Sequence, residues 1–283
     1  MGPPMVPNGN ARRCPLRVHD PGLRARPRRR TVGAVQRDEI SRLAHRHHPV
    51  MAPLADASVD RLLERLDPVA GGRVLDLGCG SGAWLRALLA RRGDLTGVGV
   101  DLHPQGDASA LAEATGGRAT VVAADATTFE DGRFDAVLAV GVAHLFGGPS
   151  GTLDAARRHL APGGRVLLGD GIWDTPPTPA ALRALDAAPE EFPDLAGLVR
   201  LVREHGFEPV HGHVSTLEEW DEYEWSWTGS LTDWALEPGR DPADRDDALT
   251  AAVEHRDGWL EGYRGVLGFA SLVLADSRTQ IDR

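Results

Sequence analysis

Nine consecutive residues, Val74-Leu75-Asp76-Leu77-Gly78-Cys79-Gly80-Ser81-Gly82, constrain the fold more than any other stretch of the chain. An apolar run enters a carboxylate, and three glycines follow at alternating positions. This pattern predicts a buried strand, a tight turn and the opening of a helix over Gly82–Arg91. Glycine adopts positive φ without steric cost and has no side chain, so a ligand can lie against the backbone. The helix behind the turn directs free N–H groups and the positive end of its dipole into the same space. A nucleotide-like ligand is the expected occupant.

Strand and helix patterns alternate from that point. Strands are predicted at Arg73–Leu77, Leu95–Asp101, Ala119–Ala123, Phe134–Val140 and Arg165–Gly169, and helices at Gly82–Arg91, Ser109–Thr115 and Thr152–Leu160. A helix over Leu198–His205, capped by Gly206, leads to a sixth strand, Phe207–Val214. Val266–Leu274 supplies a seventh. Short, nearly all-apolar strands separated by helices predict a parallel sheet covered on both faces, an α/β fold.

Two stretches break the alternation: a proline-rich one at about 170–194 and a tryptophan-rich one at about 215–264. Both follow or connect strand ends where ligands of open α/β sheets bind, so they are expected to form a lid. Ahead of the sheet, residues 33–70 read as a helical segment, with a helix at Ala57–Leu66, completing the lid. Residues 1–32 hold eight arginines against one acid, Asp20, among prolines and glycines, a composition that predicts disorder. The main domain is expected at 71–283.

A length of 283 residues and 42% hydrophobic content allow one large domain with insertions. No apolar run approaches the roughly 18 residues of a membrane span, and no signal-peptide pattern appears. Cys14 and Cys79 give no disulfide framework, so a cytoplasmic protein without a membrane partner is expected. The net charge is −10 despite the basic first residues, which argues against a nucleic-acid partner. No lysine occurs.

Three carboxylates occupy predicted strand tips. Asp76 can order the glycine loop and meet an ammonium group. Asp101 can accept two ribose hydroxyls, with Leu102 against an adenine face. Asp125 can accept from the adenine amine. Gly78-x-Gly80-x-x-Ala83 with Asp101 also fits a dinucleotide fingerprint. Asp125 argues against that reading, and a Tyr-x-x-x-Lys pair is excluded in a chain without lysine.

The motif set Asp76–Gly82, Asp101, Ala124-Asp125-Ala126, Phe134-Asp135-Ala136-Val137 and Leu160-Ala161-Pro162-Gly163-Gly164-Arg165 resembles the class I, Rossmann-like methyltransferases that use S-adenosyl-L-methionine (SAM). The resemblance covers about residues 71–214. It implies a doubly wound, mostly parallel seven-stranded sheet with SAM as cofactor. It also implies a cofactor site of Asp76, Gly78, Cys79, Gly80, Gly82, Asp101, Leu102, Asp125 and Ala126. The tryptophan-rich segment is similar to that of little-characterised bacterial members and implies no known substrate. The Asn/Asp-Pro-Pro-Tyr tetrapeptide of amino-group nucleic-acid methyltransferases is replaced by Ala139-Val140-Gly141-Val142.

On the acceptor side, His144 follows the fourth strand and is the candidate general base, a backbone-bonding role being the alternative. The His45, His47 and His48 cluster reads either as surface or packing residues or as a SAM or substrate contact, with His48 the candidate for contact; its pattern does not predict a metal site. Trp220, Tyr223, Trp227, Leu231 and Trp234 share one helix face, whose inner aromatics pack on the sheet or line the acceptor site. Trp173, Trp220 and Trp227 are the candidate acceptor contacts. Aromatics beside dense acids suggest an amine-bearing or flat aromatic acceptor. The expected function is methyl transfer from SAM to a small-molecule acceptor by a monomer or homodimer. The alternatives are an NAD(P)-dependent oxidoreductase and a non-catalytic SAM-binding protein.

Overall fold

Apolar runs of five to eight residues are too short to bury themselves as helices, and they pair edge to edge. In the computed structural model, which describes residues 37–105 and 107–280, seven strands form one sheet. They are β1 (Arg73–Leu77), β2 (Thr96–Asp101), β3 (Ala119–Ala123), β4 (Phe134–Val140), β5 (Leu160–Trp173), β6 (Phe207–Val214) and β7 (Leu267–Asp276). Their order is β3-β2-β1-β4-β5-β7-β6. The β3, β2, β1, β4 and β5 neighbours pair in parallel, while β7 runs antiparallel to both β5 and β6. The expected doubly wound, mostly parallel sheet is therefore present. The proposed tail at 1–32 lies outside the described residues.

Ten α-helices accompany the sheet among the described residues: α1 (Arg37–Ala44), α2 (Asp56–Leu66), α3 (Ala83–Arg91), α4 (Ala108–Ala114), α5 (Ala143–Phe146), α6 (Pro149–His159), α7 (Pro179–Leu185), α8 (Leu195–Glu204), α9 (Leu217–Leu236) and α10 (Pro242–Gly258). Period-two alternation in β1 divides the core. Val74 joins one cluster with Leu62 and Leu66 of α2 and Leu85, Leu88 and Leu89 of α3. Leu75 and Leu77 join the other, with Leu153 of α6 and Leu198 and Val202 of α8. Each such buried leucine contributes about 2 kcal/mol, so these helices are held by their apolar stripes more than by propensity.

A third cluster lies apart from the sheet. Leu43 and Ala44 of α1, Trp227, Leu231 and Trp234 of α9, and Ala248 and Ala252 of α10 bury one another. The N-terminal segment and the tryptophan-rich insertion thus pack as one layer. Its anchor is Glu219, which closes a capping box with Thr216 (2.8 Å) and also accepts from Ala55 N–H (3.0 Å) and His213 Nε2–H (2.9 Å). Burial alone would raise Glu219, but donors from Ser58, Thr216, Ala55 and His213 hold it down to about 2.

β5 differs most from its predicted extent. Ala161–Gly164 bulge out between the Phe134–Leu160 and Ala136–Arg165 pairs, with Gly163 at φ 80°, so the Pro-Gly-Gly turn sits inside the strand. At its other end β5 continues to Trp173, paired with Leu267. The predicted 170–194 insertion therefore begins as sheet and then turns into α7.

Candidate active site

β1 lies between β2 and β4, where the chain direction of sheet building reverses, and the cavity opens outside the carboxyl ends of these strands. It encloses about 780 Å³. The glycine loop forms its floor. Gly78, Gly80 and Gly82 all have positive φ (67°, 52° and 72°). A Cβ on Gly82 would stand 2.5 Å from Leu111 Cδ2, so close packing of α4 requires that glycine. A Cβ on Gly80 would meet only Met51, at 3.6 Å and beyond, so this position keeps backbone open to the cavity.

The strand-tip acids behave differently from one another. Asp101 Oδ2 accepts from Gly80 N–H (3.0 Å) and Oδ1 from His103 N–H (2.8 Å), which ties the β2 tip to the glycine loop. Asp125 Oδ1 accepts from Thr127 N–H (2.8 Å) and Oγ1–H (2.7 Å), bonds that pull its carboxyl below the usual range. Leu102 is 59% exposed, an apolar side chain beside Asp101 at the cavity wall. Asp76 is 2% exposed, and its Oδ2 has no hydrogen-bond partner. Burial, with Asp101 nearby, pushes its carboxyl up to about 8.

Gly78, Gly80, Asp101, Leu102, Asp125, Ala126 and His144 line the cavity. Asp76, Cys79 and Gly82 do not; they lie behind its wall. Cys79 packs where a Cβ on Gly99 would stand 2.7 Å from its Sγ, and burial pushes its thiol well above the ordinary range. It therefore supports the loop through packing, and its backbone N–H bonds Val100 O (3.1 Å). His144 lies on α5, immediately after the β4 tip.

The lid layer closes the far end. Trp220, Tyr223 and Trp227 of α9 line the cavity, together with His255 of α10, Tyr263 and His45. His45 Nδ1–H donates to Ser41 O (2.8 Å), which leaves Nε2 to accept from Tyr223 O–H (3.0 Å). Burial lowers His45 to about 4, so it stays neutral. Glu224, 2% exposed, accepts from Tyr263 O–H at Oε1 (2.7 Å) and from His255 Nε2–H at Oε2 (2.6 Å). Trp227 stacks on the His255 ring at 3.9 Å and 18°.

Two acceptor-side candidates lie elsewhere. Trp173 is buried against Phe192 (5.1 Å, edge to face) and donates its indole N–H to Pro189 O (2.8 Å), so it belongs to the core and not to the cavity wall. His48 stands behind the wall, with Nδ1–H on Val50 O (2.7 Å) and its ring edge to face with Tyr223. Sequence reasoning passed over Glu224, His255 and Tyr263. Glu224 had a signal, because it lies four residues after Trp220 and three before Trp227, inside the apolar stripe. His255 and Tyr263 reach the site only through tertiary packing. No group of three or more His, Cys, Asp or Glu among the described residues is clustered to hold a metal ion.

Comparison with known proteins agrees with this geometry. A methyltransferase-domain family model matches residues 44–212. The uncharacterised protein YjhP of Escherichia coli is 31% identical over 192 residues, covering 65% of this chain and 76% of YjhP. The crystal structure of a SAM-dependent methyltransferase from Thiobacillus denitrificans in complex with S-adenosyl-L-homocysteine superposes with a TM-score of 0.74 and 26% identity, over 85% of this chain and 98% of that one. A Geobacter sulfurreducens structure of the same description shares the fold (TM-score 0.75, 24% identity, 86% and 99% covered). The chain therefore belongs to the methyltransferase-domain family and is a Rossmann-like, SAM-dependent methyltransferase.

Proposed function

We propose that the protein methylates a small-molecule acceptor held between the strand tips and the lid, and that of the nine cofactor residues of the sequence motif Gly78, Gly80, Asp101, Leu102, Asp125 and Ala126 face SAM while Asp76, Cys79 and Gly82 support the site from behind its wall. The observation that carries this reading is the cavity itself: about 780 Å³, floored by Gly78 and Gly80, edged by Asp101 and Asp125, and walled at its far end by α9 and α10. A space of that size takes a nucleoside-sized cofactor and a small partner.

SAM, when bound, supplies a methyl group on a sulfonium that any suitably placed lone pair can take. The chain has three tasks: binding, alignment and exclusion of water. Asp101, already fixed by Gly80 and His103, keeps lone pairs free for two ribose hydroxyls. The exposed Leu102 side chain covers an adenine face. Asp125 presents the oxygen not engaged by Thr127 to the adenine amine. The orphan Oδ2 of buried Asp76 fits an ammonium donor at the loop, directly or through water. Cys79 and Gly82 act by holding the loop against Gly99 and Leu111.

His144, at the cavity edge after β4, is the proposed base where the acceptor carries a proton to be removed. His48, Trp220 and Trp227 serve the acceptor end, His48 through Tyr223. The acidic net charge favours a small acceptor over nucleic acid. Incubating the enzyme with SAM labelled in its methyl group and a cell extract tests this. Label in a low-mass product, absent with Asp101→Ala, is expected; label confined to RNA or protein overturns the small-molecule reading.

A further inference from the structure

We infer that the far end of the cavity is an ammonium-binding cage, built from the Glu224 carboxylate and the rings of Trp220, Tyr223, Trp227 and Tyr263, and that the acceptor is a small amine. This rests on the methyltransferase reading and adds the acceptor class to it.

Charge is the first support. The described residues lining the cavity include four acids, Asp101, Asp125, Glu224 and Glu254, and no arginine; the chain has no lysine. Asp101 and Asp125 belong to the strand tips. Glu224 and Glu254 belong to α9 and α10, at the other end. Histidine is the only basic residue type in the wall, and His45 is kept neutral by burial. An anionic acceptor would enter a cavity with no permanent positive charge to pair with it. A cation meets a buried carboxylate there.

The chemistry of the walls is the second support. Both phenol groups are committed as donors, Tyr263 to Glu224 and Tyr223 to His45. Glu224 accepts at both oxygens, from Tyr263 O–H and from His255 Nε2–H, and each oxygen retains a further lone pair. Trp220 meets Tyr223 and Tyr263 edge to face, each at 6.3 Å, and Trp227 stacks on His255, so the aromatic wall is fixed before a ligand arrives. Aromatic walls around a buried carboxylate favour an ammonium group by cation–π attraction and by charge.

Three soluble probes of one frame test the inference: tyramine (cation), tyrosol (neutral) and 4-hydroxyphenylacetate (anion). Each is titrated by calorimetry into the wild-type protein saturated with S-adenosyl-L-homocysteine. Tyramine is expected to bind at least tenfold more tightly than tyrosol, with the anion weakest. Glu224→Gln is expected to remove most of that preference while S-adenosyl-L-homocysteine affinity stays within about twofold of wild type. Equal binding of the three probes, tightest binding of the anion, or binding of none to the loaded wild type overturns the cage. These wild-type outcomes stand even where Glu224→Gln does not fold. Failure of S-adenosyl-L-homocysteine itself to bind would instead overturn the methyltransferase reading.

Discussion

Asp76 shows how one buried residue can lower stability. Its carboxyl is buried behind the glycine loop and held up at about 8, against an ordinary 3.8, by burial and by Asp101. The folded chain thus binds that proton more tightly than the unfolded chain. Stability of the cofactor-free protein should fall as pH rises from about 4 and level off above about 8. By pH 8 the cost is on the order of a few kcal/mol. Asp76→Asn is expected to raise the melting temperature at pH 8, leave it nearly unchanged at pH 4.5, and weaken S-adenosyl-L-homocysteine binding at least tenfold. Thermal melts across pH check the first two, and calorimetry the third; a variant no more stable than wild type at pH 8 contradicts the burial cost. The positions of Asp76, Asp101 and Asp125 at or beside strand ends were legible because each lies where an apolar run ends. Glu224 was half legible, as an acid inside an aromatic stripe. His255 and Tyr263 were not legible, since no local pattern reports what a distant helix brings to a site.

Among the elements, α9 carries the link between sheet and lid. Its N-terminus is fixed by Glu219, which gathers Thr216, Ala55 and His213 at one carboxylate. Glu219 is depressed to about 2 from 4.5 by these donors, so its stabilisation is present above pH 4.5 and is lost as pH falls toward 2. Glu219→Ala is expected to cost roughly 2 kcal/mol at pH 7, the loss of a cap and two tertiary bonds, and much less at pH 2.5. Urea denaturation at both pH values measures this; an equal loss at both contradicts the assignment. Helix α9 was legible from its aromatic spacing. Helix α10 was not, because its buried side includes only the small residues Ala248 and Ala252. The reach of β5 was hidden for a different reason. Pro162-Gly163-Gly164 reads as a turn, and only pairing with β4 and β7 shows that the strand runs through it.

For the whole molecule, a mostly parallel sheet places its strand ends on one edge, and the helices before and after it fold over that edge as a shared layer. The sequence showed the sheet through its alternating runs. It did not show that residues near 45, 225 and 260 meet over one cavity, because three separate segments each supply part of that wall. Among the described residues no helix is long and apolar enough to cross a membrane. The central claim is that the strand-tip acids grip an adenosyl ligand. Calorimetric titration of the purified protein with S-adenosyl-L-homocysteine, beside Asp101→Ala, tests it most directly. Two charge-assisted hydrogen bonds at about 1.5 kcal/mol each predict one-to-one binding that weakens roughly 100-fold in the variant. No heat of binding with the wild type, or equal affinity in Asp101→Ala, would contradict the account.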